Sequence, residues 1–199
     1  VKKMDVKDAI EKRRAYRCLE KVEITDDTIN LLVRAAQITA SCFNNQPWRF
    51  IFVKSNEKLE EMKQAMNKGN EWTYAASLII AVISKKEFDC VIKEREYFLF
   101  DTGMAVQSMI LQATELGLVA HPIAGYSPEK VKEILSIPQD FNVITLIIIG
   151  KKSDKENNGL LNENQVAVEK QRPERIPFEK IFSIDIFDEK LNQKVEHKK

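Results

Sequence analysis

Apolar positions along this chain fall first at helical and then at strand spacing. Val6, Ala9 and Ile10 share one face of a short helix that Asp5 caps and that ends near Arg14. Thr25 caps a second helix, in which Ile29, Leu32, Val33 and Ala36 follow the i, i+3, i+4, i+7 stripe of a half-buried face. After a polar break at residues 39–46, the run Phe50-Ile51-Phe52-Val53 predicts a buried strand. Leu59, Met62 and Met66 mark a third helix, with Asn56 as its cap and Gly69 as its stop. Residues 78–83 are continuously apolar, so this second strand is covered on both faces. The longest helix falls within residues 93–116, where Gly103, Ala105, Ser108 and Ala113 let another helix approach closely. Ser127-Pro128 opens a short helix bearing Val131, Ile134 and Leu135, and a strand follows at residues 143–149. Residues 151–169 read as a polar surface loop. Residues 181–187 then alternate like a strand after the rest of the domain is complete, and such a segment needs a partner's surface. The pattern predicts a single α+β domain, helices around a central mixed sheet, over residues 1–180, with 181–199 as a C-terminal arm.

Composition narrows the class of partner. The 199 residues suit one well-cored domain, and a net charge of +1 offers neither a nucleic-acid nor a membrane surface. The longest apolar stretches, 75–83 and 143–149, are too short to span a bilayer. The first nine residues have no apolar run followed by a small-residue cleavage site, so no secretory signal is expected. Cys18, Cys42 and Cys90 are odd in number and far apart, with no CxxC pair and no cluster with His121 or His197. No metal is expected, and a reducing cytoplasm is the default compartment.

Four polar clusters carry candidate chemistry. Arg13, Arg14 and Arg17 form either a solvated basic face or an anion site, because guanidinium forks match phosphate oxygens and polar ring edges. Residues 41–50, SCFNNQPWRF, place amide side chains beside an extended proline. They serve as a turn into a strand or as donors and acceptors for a planar polar ligand. Gly117-Leu118, followed by His121-Pro122-Ile123-Ala124-Gly125-Tyr126, is a tight turn or a place where backbone N–H groups approach a flat ring. His121 has no accompanying nucleophile or carboxylate and reads as structural. Arg172 and Arg175 stand in a polar segment that would be unremarkable alone.

In this order and at these separations, the clusters resemble the nitroreductase family of flavoproteins. The carriers are Arg13-Arg14-x-x-Arg17, Ser41-x-x-Asn44-x-Gln46-Pro47-Trp48-x-Phe50, the stretch from Gly117 to Tyr126, and Arg175-x-Pro177. The resemblance implies a nitroreductase-like FMN-binding domain over 1–180, in a domain-swapped homodimer whose arm, 181–199, packs on the partner subunit. FMN would be held without a covalent bond at the interface. Arg13 and Arg14 would meet its phosphate and ribityl chain, and Arg17 the pyrimidine end of the ring. Ser41, Cys42, Phe43, Asn44 and Gln46 would come from the other subunit. Ala124 and Gly125 would offer backbone N–H groups, and Arg175, with Arg172, further positive charge. Asn70 lies near another amide contact of the family.

Ala15 stands where the family often has serine, so one hydroxyl contact is missing. Cys42 and Phe43 replace smaller residues, and Ala124 one that is often glycine or acidic. The implied activity is NAD(P)H-dependent, ping-pong reduction of nitroaromatics, quinones or related electrophiles, with no side chain as nucleophile. A flavin storage or sensing protein is the alternative, and dehalogenation or flavin breakdown would use the same scaffold. A doubly wound dinucleotide-binding domain is disfavoured, since no GxGxxG follows a strand.

Overall fold

A computed structural model describes residues 4–192. Residues 193–199 of the expected arm, His197 among them, lie outside the described residues. The helices are α1 (Val6–Lys12), α2 (Asp26–Gln37), α3 (Asn56–Met62), α4 (Tyr97–Glu115), α5 (Pro128–Leu135) and α6 (Glu163–Lys170). The strands are β1 (Leu19–Glu20), β2 (Arg49–Val53), β3 (Leu78–Ser84), β4 (Val91–Ile92), β5 (Arg95–Glu96), β6 (Val119–Ile123) and β7 (Asn142–Lys152).

The central sheet is built on β7, which pairs with β1, β3 and β6, while β2 pairs with β3. Every one of these pairings is antiparallel, which corrects the expected mixed sheet. Alternating helices and strands suggested parallel crossovers, but each strand here runs against its hydrogen-bonded neighbour.

The continuous apolar character of β3 has the expected cause. Ile79, Ala81 and Ile83 join Leu146 and Ile148 of β7 in one core, with Leu59 and Met62 of α3 and Val131 of α5. The alternate residues Leu78, Ile80 and Val82 join Ile147 and Ile149 in a second core, with Leu32 and Ala36 of α2 and Ala105, Met109 and Ala113 of α4. The sheet is therefore sandwiched between helices. Each fully buried aliphatic or Met side chain contributes roughly 1.5–3 kcal/mol.

Several local expectations shift. Asp5 caps α1 through the Asp8 N–H, yet only Ala9 of that helix is buried while Val6 and Ile10 are exposed. Thr25 caps α2 as expected, whereas α3 is capped by Ser55, whose hydroxyl accepts from the Lys58 N–H, and not by Asn56. Gly103 faces open space and is not a packing residue of α4. The expected loop at 151–169 holds the end of β7 and the start of α6, which a capping box between Asn162 and Gln165 begins. Strand β6 was hidden by Pro122, a residue that argues against an interior strand. Residues 181–187 form no strand in the single chain, and Ile184, Ile186 and Phe187 are exposed.

Candidate functional site

Arg17, Asn70, Trp72, His121, Pro122, Ile123, Ala124 and Gly125 line a cavity of about 220 Å³. Its floor is fixed by Asn70. The Asn70 side-chain N–H donates to the Gly125 carbonyl at 2.7 Å, and its oxygen accepts from the Trp72 indole N–H at 3.0 Å. The same carbonyl accepts from the Asn67 N–H at 3.0 Å. A Cβ on residue 125 would collide with the Asn70 amide nitrogen, so only glycine permits this approach. Thus the sequence's Gly125 is required by packing as well as by any ligand.

Trp72 stacks on His121 with ring centroids 4.6 Å apart, and the Arg17 guanidinium stands 5.9 Å over the Trp72 ring. His121 Nδ1 is 3.1 Å from the Tyr16 carbonyl, so Nδ1 carries the proton and donates. Burial, reinforced by the charges of Arg17 and Arg13 and opposed by the Tyr16 hydrogen bond, pushes the His121 pKa down to about 4. Trp72 is a lining residue that the motif reading left out, with the indole two residues after Asn70 as the available signal, and His121 is one that it read as structural.

A stability prediction follows from that histidine. Its folded pKa lies below the unfolded value near 6.5, so between these values the unfolded chain binds the extra proton. Stability should therefore fall as pH drops from about 6.5 to about 4, by at most about 3 kcal/mol from this group. Urea unfolding at several pH values should show that part of the slope removed in His121→Gln. An identical slope in both proteins would assign the acid sensitivity elsewhere.

The second feature is a cluster of arginines where α1 meets the segment after α6. Arg13 is half-buried, and burial followed by the nearby charges of Arg172, Arg175 and Arg14 lowers its pKa. The cluster divides in role. Arg14 donates to the carbonyls of Val168, Glu169 and Gln171 at 2.9–3.3 Å, and packs over the Tyr16 ring at 4.5 Å. Arg172 donates to the carbonyls of Glu11 and Arg13. Both tie the two segments together. Among the described residues the side chains of Arg13, Arg17 and Arg175 make no hydrogen bond or ion pair. Glu169, another residue the sequence reading missed, adds a tie by accepting from the Arg17 N–H at 2.9 Å and the Cys18 N–H at 3.4 Å. Ala15 is half-buried and brings no polar atom.

The loop at 41–46 does not line this cavity. It packs on α4, where the Cys42 N–H donates to the Asp101 carboxylate at 2.6 Å, and it closes on itself through the Gln46 N–H and the Ser41 hydroxyl at 2.9 Å. Gln46 also donates to the Asn44 main-chain and side-chain oxygens. Phe43, Asn44 and Gln46 have φ of 49°, 58° and 49°, a left-handed conformation that costs non-glycine residues energy and is concentrated at functional sites. Phe43 is 83% exposed. Cys42 is disulfide-bonded to Cys90, a pairing that the wide spacing and the absence of a CxxC motif did not suggest; Cys18 alone is free, and it is buried. Sequence separation concealed a pair that the fold brings to a Cα distance of 6.3 Å.

Such an α+β scaffold is that of a class of oxidoreductases. The structure is similar to that of an oxidoreductase containing FMN, at 26% identity and a TM-score of 0.78, over 94% of this chain and 96% of the other. It is also similar to an FMN-dependent nitroreductase of Clostridium difficile R20291, at 25% identity and a TM-score of 0.64, over 84% and 98% of the two chains. In sequence it is 27% identical over 153 residues to an Archaeoglobus fulgidus protein whose name proposes NADH dehydrogenase/NAD(P)H nitroreductase activity, covering 73% of this chain and 84% of that one. The model of the Nitroreductase family matches residues 10–71 and 64–151, and the chain belongs to that family. No described helix is long and apolar enough to cross a membrane.

Proposed function

We propose that the chain is an FMN-dependent oxidoreductase that works as a homodimer, passing reducing equivalents from NAD(P)H to nitroaromatics, quinones or related electrophiles in a ping-pong cycle. The observation that carries this reading is the uncommitted Arg17 guanidinium in a cavity floored by Gly125, close to the like charges gathered around Arg13. Arginines that repel one another and keep their donors unspent fit a phosphate dianion. The residues present thus fit FMN.

FMN supplies, when bound, a ring that accepts reducing equivalents from the nicotinamide and returns them to the second substrate. The chain's own residues bind and orient. Arg13 and Arg175 hold the phosphate, while Arg14 and Arg172 keep the two segments in place for them. Arg17 sets a fixed positive charge at the pyrimidine end, which favours the electron-rich ring. Ala124 and Gly125 present main chain to its reactive edge. No side chain is needed as a nucleophile.

Two observations favour a second copy of the chain. The cavity of about 220 Å³ falls short of the roughly 300–1,000 Å³ usual for ligand sites, so it needs another wall. The exposed apolar surfaces of α1 and the arm, with Val6 73% and Ile186 78% exposed, are of the kind that mark association sites. In the proposed dimer the partner's loop supplies that wall through Ser41, Cys42, Phe43, Asn44 and Gln46. Purified protein should be yellow, release FMN on denaturation at one per chain, and oxidise NADH or NADPH steadily once a quinone or nitroaromatic is added. Release of FAD, or no flavin after reconstitution with FMN, would sink the reading. Flavin without turnover above background would leave the storage or sensing alternative.

A further inference from the structure

The Cys42–Cys90 pair sits beside a feature that the proposed function does not use. Asp89 Oδ1 accepts from the Cys90 N–H at 2.8 Å and from the Asn45 side chain at 3.2 Å. Its other oxygen is buried with no donor among the described residues. Asp101, only 1% exposed on α4, holds the Cys42 N–H. Burial, followed by the adjacent Asp89 carboxylate, raises the Asp101 pKa against the pull of that N–H. Burial and the neighbouring carboxylate thus favour a protonated Asp101 carboxyl, which lies against the Cys42 main chain. An Asp89 carboxylate oxygen and both sulfurs lie within 4.8 Å of one another. Disulfide and proton donor therefore meet in one place.

We propose that Cys42–Cys90 is a reversible redox site, opened and closed by exchange with dithiols, whose state sets the conformation of the 41–46 loop. The bond joins two surface segments 48 residues apart in sequence and does not cross the core. Both cysteines are half-buried, so a small thiolate can reach a sulfur. The flanking chain is held independently, with the Ser84 hydroxyl donating to the Pro47 carbonyl at 2.8 Å and β2 paired to β3, so opening need not unfold the domain.

In the reductive step a thiolate of the dithiol bonds to one sulfur, and the S–S bond breaks with its electron pair on the other. That leaving sulfur takes the proton of the Asp101 carboxyl, since a thiolate beside carboxylates would be costly. The second thiol of the reductant then displaces the remaining cysteine sulfur. Asp101 regains a proton from water, which received the one lost by the attacking thiol, so two electrons and two protons enter the protein and the dithiol leaves as its disulfide. The reverse sequence, with a disulfide as oxidant, closes the bond.

The test uses the purified full chain. After oxidation with glutathione disulfide, alkylation in denaturant should find one thiol, Cys18, and after dithiothreitol under native conditions all three cysteines of the chain. Hydrogen exchange of the Cys42 and Gln46 amides should accelerate at least about tenfold on reduction, as their hydrogen bonds loosen. Asp101→Asn keeps an acceptor for Cys42 but carries no transferable proton. It should slow reduction at least about tenfold, within the range for loss of a general acid, and leave the exchange pattern of the oxidised form unchanged.

Three thiols after oxidation, a disulfide that resists dithiothreitol until the chain unfolds, or zinc bound by reduced Cys42 and Cys90 would each overturn the proposal. So would amide exchange that ignores the redox state, and an unchanged rate in Asp101→Asn would overturn the proton donor. Weaker FMN binding by the reduced protein is a consequence that rests on the proposed function. The thiol counts and exchange rates do not depend on it, so the two ideas fail separately.

Discussion

A mixed dimer of Arg17→Ala and Asn44→Ala chains is expected to regain about half of wild-type activity, given independent sites. Each variant alone should be nearly inactive. Losing one charge-assisted hydrogen bond costs roughly 1.5–3 kcal/mol, about a ten- to hundredfold loss at every site of a homodimer. Arg17 lines the Gly125 cavity, whereas Asn44 sits on a loop that does not reach that cavity within its own chain. On the proposed shared site, each flavin takes Arg17 from one chain and Asn44 from the other. The mixed dimer then concentrates both lesions in one site and leaves the second intact. Differently tagged chains, co-expressed and isolated as the heterodimer, provide the measurement. If both residues served the same flavin from a single chain, every site would keep one lesion. Activity would stay at the average of the two variants, and the interface site would have to be abandoned.

Gly125→Ala is expected to destabilise the fold by about 2–4 kcal/mol and to weaken FMN binding together with it. The new Cβ takes the position of the Asn70 amide nitrogen, so the Asn70 side chain must turn away. Two hydrogen bonds go with it: the one to the Gly125 carbonyl and the one from the Trp72 indole, whose side chain is 1% exposed. An indole N–H left buried without a partner accounts for much of the cost. The mechanism can be separated from general crowding by repeating the substitution in an Asn70→Ala background. There the alanine at 125 should cost markedly less in urea unfolding, because the clash is gone. Equal costs with and without Asn70 would show that the strain lies elsewhere.

Local pattern determined a good deal of this protein. The Thr25 cap of α2, the two-sided burial of β3 and the Ser127-Pro128 start of α5 depend on residues within a turn or two of one another, so the sequence alone specified them. Of the α2 stripe, by contrast, only Leu32 and Ala36 are buried, and Val33 is exposed. The fold also brings Arg17, Ala124 and Gly125, which the motifs singled out, to one cavity.

What the sequence could not settle depends on segments far apart in the chain. Periodicity gives a strand's faces but not the direction of its neighbour, so the antiparallel sheet emerged only in three dimensions, and Pro122 masked β6. Composition places arginines near each other without saying which find carbonyls. Only the fold commits Arg14 and Arg172 to main chain while Arg13 and Arg175 stay unpaired among the described residues. The Cys42–Cys90 bond and the meeting of Asp89 with Asp101 likewise arise because α4 packs under a loop far from it in sequence. Sequence fixes local conformation through near-neighbour sterics and burial, whereas long-range approach is set by how the finished layers pack.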